Sequence, residues 1–148
     1  MSRPETLALS ALILLILAAP TWSSDVAALI AQGEASLKTG ETDAGLALFR
    51  QAAEQDPRSS LAQTRIGGSL LLKQEYGLAI DAFRQAIMLD GANADAFVGM
   101  AMAHLHSGDY ALARAALEEA KRIDPGKQVK VDEVIGYIDR REAGGSAH

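Results

Sequence analysis

Small and bulky apolar residues recur along the chain with the spacing of helix faces. In three stretches two small residues flank a bulky one at i, i+4 and i+7, which places all three on one face of an α-helix. The three sets are Gly45, Phe49 and Ala52; Ala79, Phe83 and Ala86; and Ala113, Leu117 and Ala120. Each stretch therefore predicts a helix that packs through one apolar face.

These three faces recur at a constant interval along the chain. Phe49, Phe83 and Leu117 lie 34 residues apart, and Asp56 and its two counterparts keep the same interval. A period held by independent positions indicates a repeat architecture. We therefore divide residues 26–127 into three repeats: 26–59, 60–93 and 94–127.

Turn signals divide each repeat into two helices. Gly40 and Gly108 stand between the halves of repeats one and three, where glycine can adopt the positive φ that ends a helix. The Asp-Pro pairs that begin at Asp56 and Asp124 end the second helices, since a residue before proline avoids helical geometry. Loops this short predict antiparallel helix pairs.

One more amphipathic segment follows the repeats. Val131, Val134, Ile135 and Ile138 have the i, i+3, i+4, i+7 spacing of a helix face. A stacked array leaves its last apolar face open, so we expect a capping helix over residues 128–142. Residues 143–148 are predicted to form a disordered tail.

The N-terminus carries a second strong signal. Leu7 to Ala19 is an uncharged apolar run, Pro20 ends it, and small residues stand at Thr21 and Ser23. This pattern is typical of a secretory signal peptide, here residues 1–23, and predicts an exported, periplasmic protein. The alternative is an uncleaved anchor in the inner membrane that leaves the domain facing the periplasm, although the run is shorter than the roughly 20 residues of a spanning helix.

Composition narrows the chemistry. The 148 residues include no cysteine, which excludes disulfides and thiolate sites, and the formal net charge of −5 without a basic cluster argues against nucleic acid. His104 and His106 are two apart on a predicted helix and point in different directions, so they cannot share a metal. No nucleophile, base or carboxylate pair is brought together. We expect no enzyme activity, cofactor or metal.

The 34-residue period, the small residues and the Asp-Pro ends resemble the tetratricopeptide repeat (TPR). The resemblance covers residues 26–127 and implies an all-α, right-handed superhelix of three antiparallel helix pairs with a C-terminal capping helix. It also implies a concave groove lined by the first helix of each repeat. The lysines and asparagines with which some TPR domains hold a peptide carboxylate are absent.

Carried onto this chain, the groove positions of the family give ten candidate peptide-binding residues. They are Ile30, Glu34, Leu37, Lys38, Leu71, Leu72, Val98, Met102, Leu105 and His106. Most are apolar, and they would form a contiguous exposed patch, which usually marks a binding surface. The other reading is that the capping helix, the tail or a second subunit covers them.

The leading hypothesis is thus an exported adaptor that binds an apolar peptide or helix of a partner protein, in the assembly of an envelope complex. The alternatives are a self-associating scaffold, in which the groove receives another copy, and a membrane-anchored accessory subunit of a larger complex. The residues do not identify the partner.

Overall fold

The computed structural model describes residues 22–145, and every regular element in that range is a helix. The elements are α1 (Trp22–Lys38), α2 (Thr42–Gln55), α3 (Ser60–Leu72), α4 (Tyr76–Leu89), α5 (Ala94–His106), α6 (Tyr110–Ile123), a short 3-10 helix (Pro125–Lys127) and α7 (Gln128–Gly145). Nearly all of the predicted signal peptide lies outside the described residues. Within them, no helix has the length and apolarity needed to cross a bilayer.

The helices pack as consecutive pairs. Helix α1 packs on α2, α3 on α4 and α5 on α6, and the pairs are joined through α2 with α3 and α4 with α5. Helices α3 and α5 also contact each other directly, whereas α7 packs on α6. The first helices of the three pairs therefore lie side by side and form one face of the stack.

The turn inside each pair uses a residue with positive φ. Gly40 and Gly108 both have a φ of 82°, as their positions in the repeat predict. In repeat two the same position holds Gln74, whose φ is 63°. A side chain is disfavoured in this left-handed region, so the turn of repeat two is strained relative to the other two.

Three aligned side chains fill the centre of the stack. Phe49 and Leu117 are at most 1% exposed and Phe83 is 2% exposed. Glycines make room for the rings: a Cβ added to Gly33 would lie 2.5 Å from Phe49 Cε1, and one added to Gly67 would lie 2.8 Å from Phe83. Where the bulky residue is the smaller Leu117, the position corresponding to Gly67 holds an alanine, Ala101. The residue that faces the bulky side chain is thus larger where that side chain is smaller.

Asn93 joins repeats two and three through a half-buried hydrogen-bond network. Its Nδ2 donates to Ser60 Oγ at 2.7 Å and to Thr64 Oγ1 at 2.9 Å, while its Oδ1 accepts from the backbone N–H of Ala96 at 2.9 Å. The same side chain therefore caps α5 and links it to α3.

Helix α7 closes the end of the stack. Val131 and Ile138 are buried against Leu117, as expected of a capping helix. Arg114 on α6 pairs with Asp139 and Glu142 on α7, and Lys121 pairs with Asp132. The helix continues to Gly145, so the prediction of a disordered tail is wrong for residues 143–145, while residues 146–148 lie outside the described part.

Candidate functional site

The ten predicted groove residues lie on α1, α3 and α5 and differ widely in exposure. Leu72 is 63% exposed, and Lys38 and His106 are exposed as well. Ile30, at 8% exposure, belongs to the core. The remaining six are partly buried: Glu34, Leu37, Leu71, Val98, Met102 and Leu105.

The apolar face is therefore less exposed than the sequence predicts. Leu37 and Leu71 pack against the core of the first two repeats, and Leu105 packs against the core under α7. The cause is the close approach of α3 and α5. Ala96 and Ala103 of α5 are fully buried in the same core cluster as residues of α3. The prediction of a contiguous exposed patch is wrong in extent, although parts of the face line cavities.

The first cavity, which we call the N-terminal pocket, lies at the start of the face. It measures about 670 Å³ and is lined by Val26, Ala27, Ile30, Ala31, Glu34, Gln55, Asp56, Ser59 and Leu61. Glu34 Oε1 accepts a hydrogen bond from Arg65 Nε at 2.6 Å. The pocket thus combines an apolar wall with a carboxylate that is already paired.

A longer opening, which we call the α5–α7 cleft, lies at the other end. Three cavities of about 310, 360 and 490 Å³ share Met102, and their apolar walls are formed by Val98, Met102 and Leu105 on α5 and Val134 and Tyr137 on α7. His106 borders one of them. Four of the ten predicted residues therefore meet in this cleft, together with side chains of the capping helix.

The cleft exists because α7 stands away from α5. No Cα atom of α7 lies within 8 Å of one on α5, whereas α3 and α5 do approach this closely. One repeat period after the buried Ala96 and Ala103, α7 carries Lys130 and Tyr137. These longer side chains cannot enter the close contact that the two alanines allow.

The cleft carries more positive than negative charge. Lys127 donates to Asp95 at 2.7 Å, a hydrogen bond that raises the pKa of the lysine. Arg141 Nε donates to Tyr137 Oη at 2.9 Å, and the guanidinium lies 5.7 Å from the centre of the tyrosine ring. Among the described residues Lys130 and Arg140 have no ion-pair partner, and the cavity that both of them line has one carboxylate, Glu133.

The two histidines of α5 have separate environments. His106 stacks on Tyr76 with ring centres 5.2 Å apart and planes 4° from parallel. His104 has a side chain 12% exposed, and its Nδ1 lies 3.6 Å from Asp109 Oδ2. In the part of the chain that the structure describes, no three His, Asp or Glu side chains are grouped as metal ligands would be.

Sequence reasoning missed the contribution of α7 to the site. Ile30 and Glu34 line the N-terminal pocket, and the α5 residues line the cleft, but Leu37, Lys38, Leu71 and Leu72 lie outside the residues that line these cavities. The α7 residues that line the cleft are Lys130, Val131, Glu133, Val134, Tyr137, Arg140 and Arg141. Comparison of α7 with α5 at the 34-residue interval could have found two of them, since Lys130 and Tyr137 replace two alanines there.

Stacked helix pairs with a recessed face define a class of helical-repeat binding scaffolds. Two family models described as "Tetratricopeptide repeat" match residues 30–96 and 70–130, and together they span more than half of the chain. The chain belongs to the tetratricopeptide repeat family.

The chain is also similar to a curated protein and to several solved structures. Protein bimA of Emericella nidulans is 27% identical over 89 residues, which are 60% of this chain and 11% of that protein, so the chain spans about a ninth of its relative's length. The first TPR domain of Spaghetti (RPAP3), bound to the HSP90 peptide SRMEEVD, has a TM-score of 0.77 at 16% identity and 82% and 95% coverage of the two chains. MamA has a TM-score of 0.74 at 23% identity, with 82% and 70% coverage. The two structural likenesses confirm the predicted fold class.

Proposed function

We propose that the chain is an adaptor that binds an apolar peptide segment of a partner protein along the face formed by α1, α3 and α5. The observation that carries the proposal is that the N-terminal pocket and the α5–α7 cleft, both with apolar walls, lie at the two ends of this face. A TPR fold is a protein-interaction scaffold, and one domain of this fold, in RPAP3, binds an HSP90 peptide. The proposed role is binding without catalysis.

The ligand we propose differs from a peptide held by its terminal carboxylate. In TPR domains that bind such a terminus, cationic and amide side chains stand where this chain has Ile30, Glu34, Arg65, Asp95 and Gly99. Arg65 is engaged by Glu34, and Asp95 by Lys127. Gly99 offers no side chain. An internal apolar segment therefore suits this face better than a free C-terminus.

We further propose export to the periplasm and a role in the assembly of an envelope complex. The support is the apolar run of the leader and the small residues before the expected cut. If the leader stays uncut and anchors the chain in the inner membrane, the face formed by α1, α3 and α5 would still lie in the periplasm.

Site-specific photocrosslinking tests the adaptor role. A photoreactive residue at Leu72, which is 63% exposed on α3, should crosslink one identifiable partner in cells, and Leu72→Glu should abolish its copurification. The matched control is the same residue at Leu112 on α6, which is 54% exposed but belongs to the second helix of its pair. Crosslinking to another copy of the chain would favour a self-associating scaffold, and equal crosslinking at both sites would contradict the adaptor proposal.

A further inference from the structure

We infer that the α5–α7 cleft binds an extended peptide segment in which apolar side chains alternate with carboxylates. The inference rests on the proposed function and adds to it the location and the chemistry of the ligand. It uses side chains of α7, which is not one of the repeats. The cleft is therefore a subsite that the three repeats alone would lack.

The apolar side chains of the proposed ligand are inferred from the walls of the cleft. Val98, Met102, Leu105 and Val134 are partly buried, and Tyr137 is 41% exposed. Their remaining apolar surface faces cavities large enough for aliphatic side chains. Filling these cavities would remove that surface from water at a gain proportional to the area covered.

The dimensions favour an extended ligand over a helix. The lining residues of α5 run from Asp95 to Gly108, just beyond its end, which is about 20 Å at the helical rise. A helix about 10 Å across needs one continuous groove, whereas the cleft is divided into three cavities of about 310, 360 and 490 Å³ that share Met102. An extended segment of about six residues spans the same distance and directs every second side chain to one face.

The charge of the cleft determines which side chains of the ligand can alternate with the apolar ones. Lys130 and Arg140 face it without an ion-pair partner among the described residues, and Arg141 adds a third cation at one end. Opposing them are Glu133 and Asp95, and Asp95 is taken by Lys127. This local excess of positive charge lies on a chain whose formal net charge is −5, so it favours acidic side chains in the ligand.

Binding of three synthetic peptides of equal length tests the inference. We would use fluorescein-labelled peptides with alternating Leu and Glu, Leu and Lys, or Ser and Glu, and measure anisotropy with the full chain. The Leu/Glu peptide should bind at least tenfold more tightly than either of the others. Equal affinity for the acidic and basic peptides would overturn the inference.

Two double variants test whether the cations of the cleft cause the preference for the Leu/Glu peptide. Lys130→Glu with Arg140→Glu should weaken the Leu/Glu peptide at least fivefold, while Arg50→Glu with Arg58→Glu, which changes the net charge equally at exposed sites on and after α2, should change it less than twofold. Equal losses in both would show a nonspecific charge effect and overturn the inference. If the peptides fail but a partner still crosslinks at Leu72, the cleft is excluded and the adaptor role stands.

Discussion

Gly99 and Phe83 meet so closely that no side chain could stand between them. A Cβ added to Gly99 would lie 2.3 Å from both Cε1 and Cζ of the Phe83 ring. The ring is 2% exposed and also contacts Gly67, so it has no free direction in which to move. The close approach of α5 to α4 therefore depends on the absence of this one methyl group.

Gly99→Ala should destabilise the chain by about 1–3 kcal/mol, because overpacking forces the buried ring or the helices to shift. Gly68→Ala is the matched control: Gly68 also lies inside a helix, but nothing is within 4 Å of an added Cβ. The control should gain about 1 kcal/mol from helix propensity. Urea unfolding measures both, and equal shifts in the two variants would show that the contact is unimportant.

Phe83→Ala should cost about 3–5 kcal/mol, the usual range for removing a fully buried phenylalanine. The ring lies between repeats two and three, so its loss should lower both the cooperativity and the midpoint of urea unfolding.

Combining Phe83→Leu with Gly99→Ala should lower the free energy of unfolding by less than the sum of the two single changes, because the smaller side chain relieves the clash. Additive losses would contradict this coupling.

Gln74→Gly should stabilise the chain by about 1 kcal/mol, because a side chain at positive φ costs about 1–2 kcal/mol and part of the gain is lost to backbone entropy. Gly108→Ala, at the corresponding turn of repeat three, should lose a similar amount. Thermal unfolding of the two variants should thus shift in opposite directions. A loss of stability in Gln74→Gly would show that the turn is not strained.

The Lys127–Asp95 ion pair should weaken at alkaline pH. The hydrogen bond to Asp95 raises the pKa of Lys127 above its ordinary value of 10.5. The contribution of the ion pair to the free energy of unfolding is therefore complete below pH 10.5 and is lost as the pH rises through the higher folded-state pKa. Asp95→Asn should therefore destabilise the chain at neutral pH and have a diminishing effect above 10.5. A difference in unfolding free energy that stays constant with pH would contradict this role.

Trp22 reports on processing of the leader. It is the only tryptophan and precedes the predicted cut after Ser23, so exported protein should show tyrosine fluorescence alone. Trp22 is also the first residue of α1, and cleavage would shorten that helix by two residues. Tryptophan emission from protein purified out of the periplasm would contradict cleavage at this site.

The period of the sequence predicts the helix pairs because buried positions leave a strong and regular signal. Phe49, Phe83 and Leu117 are all buried, as their shared position requires. The groove is predicted less well, since the position of a residue in the repeat does not show how much of its side chain is buried, as the partly buried Leu71 illustrates. Whether a cavity forms depends on the distances between helices. These distances depend on the sizes of residues at equivalent positions, such as Ala103 on α5 and Tyr137 on α7, which must be compared across the 34-residue period.

The attachment of α7 to a single neighbour also affects how the array opens. Helices α3 and α4 are held on both sides, whereas α7 depends on Val131, Ile138 and a few ion pairs to α6. In a linear stack, stability is the sum of such neighbour contacts. Amide protons should therefore exchange fastest in α7 and slowest in the middle of the chain, so that the far wall of the cleft can detach while its near wall stays folded.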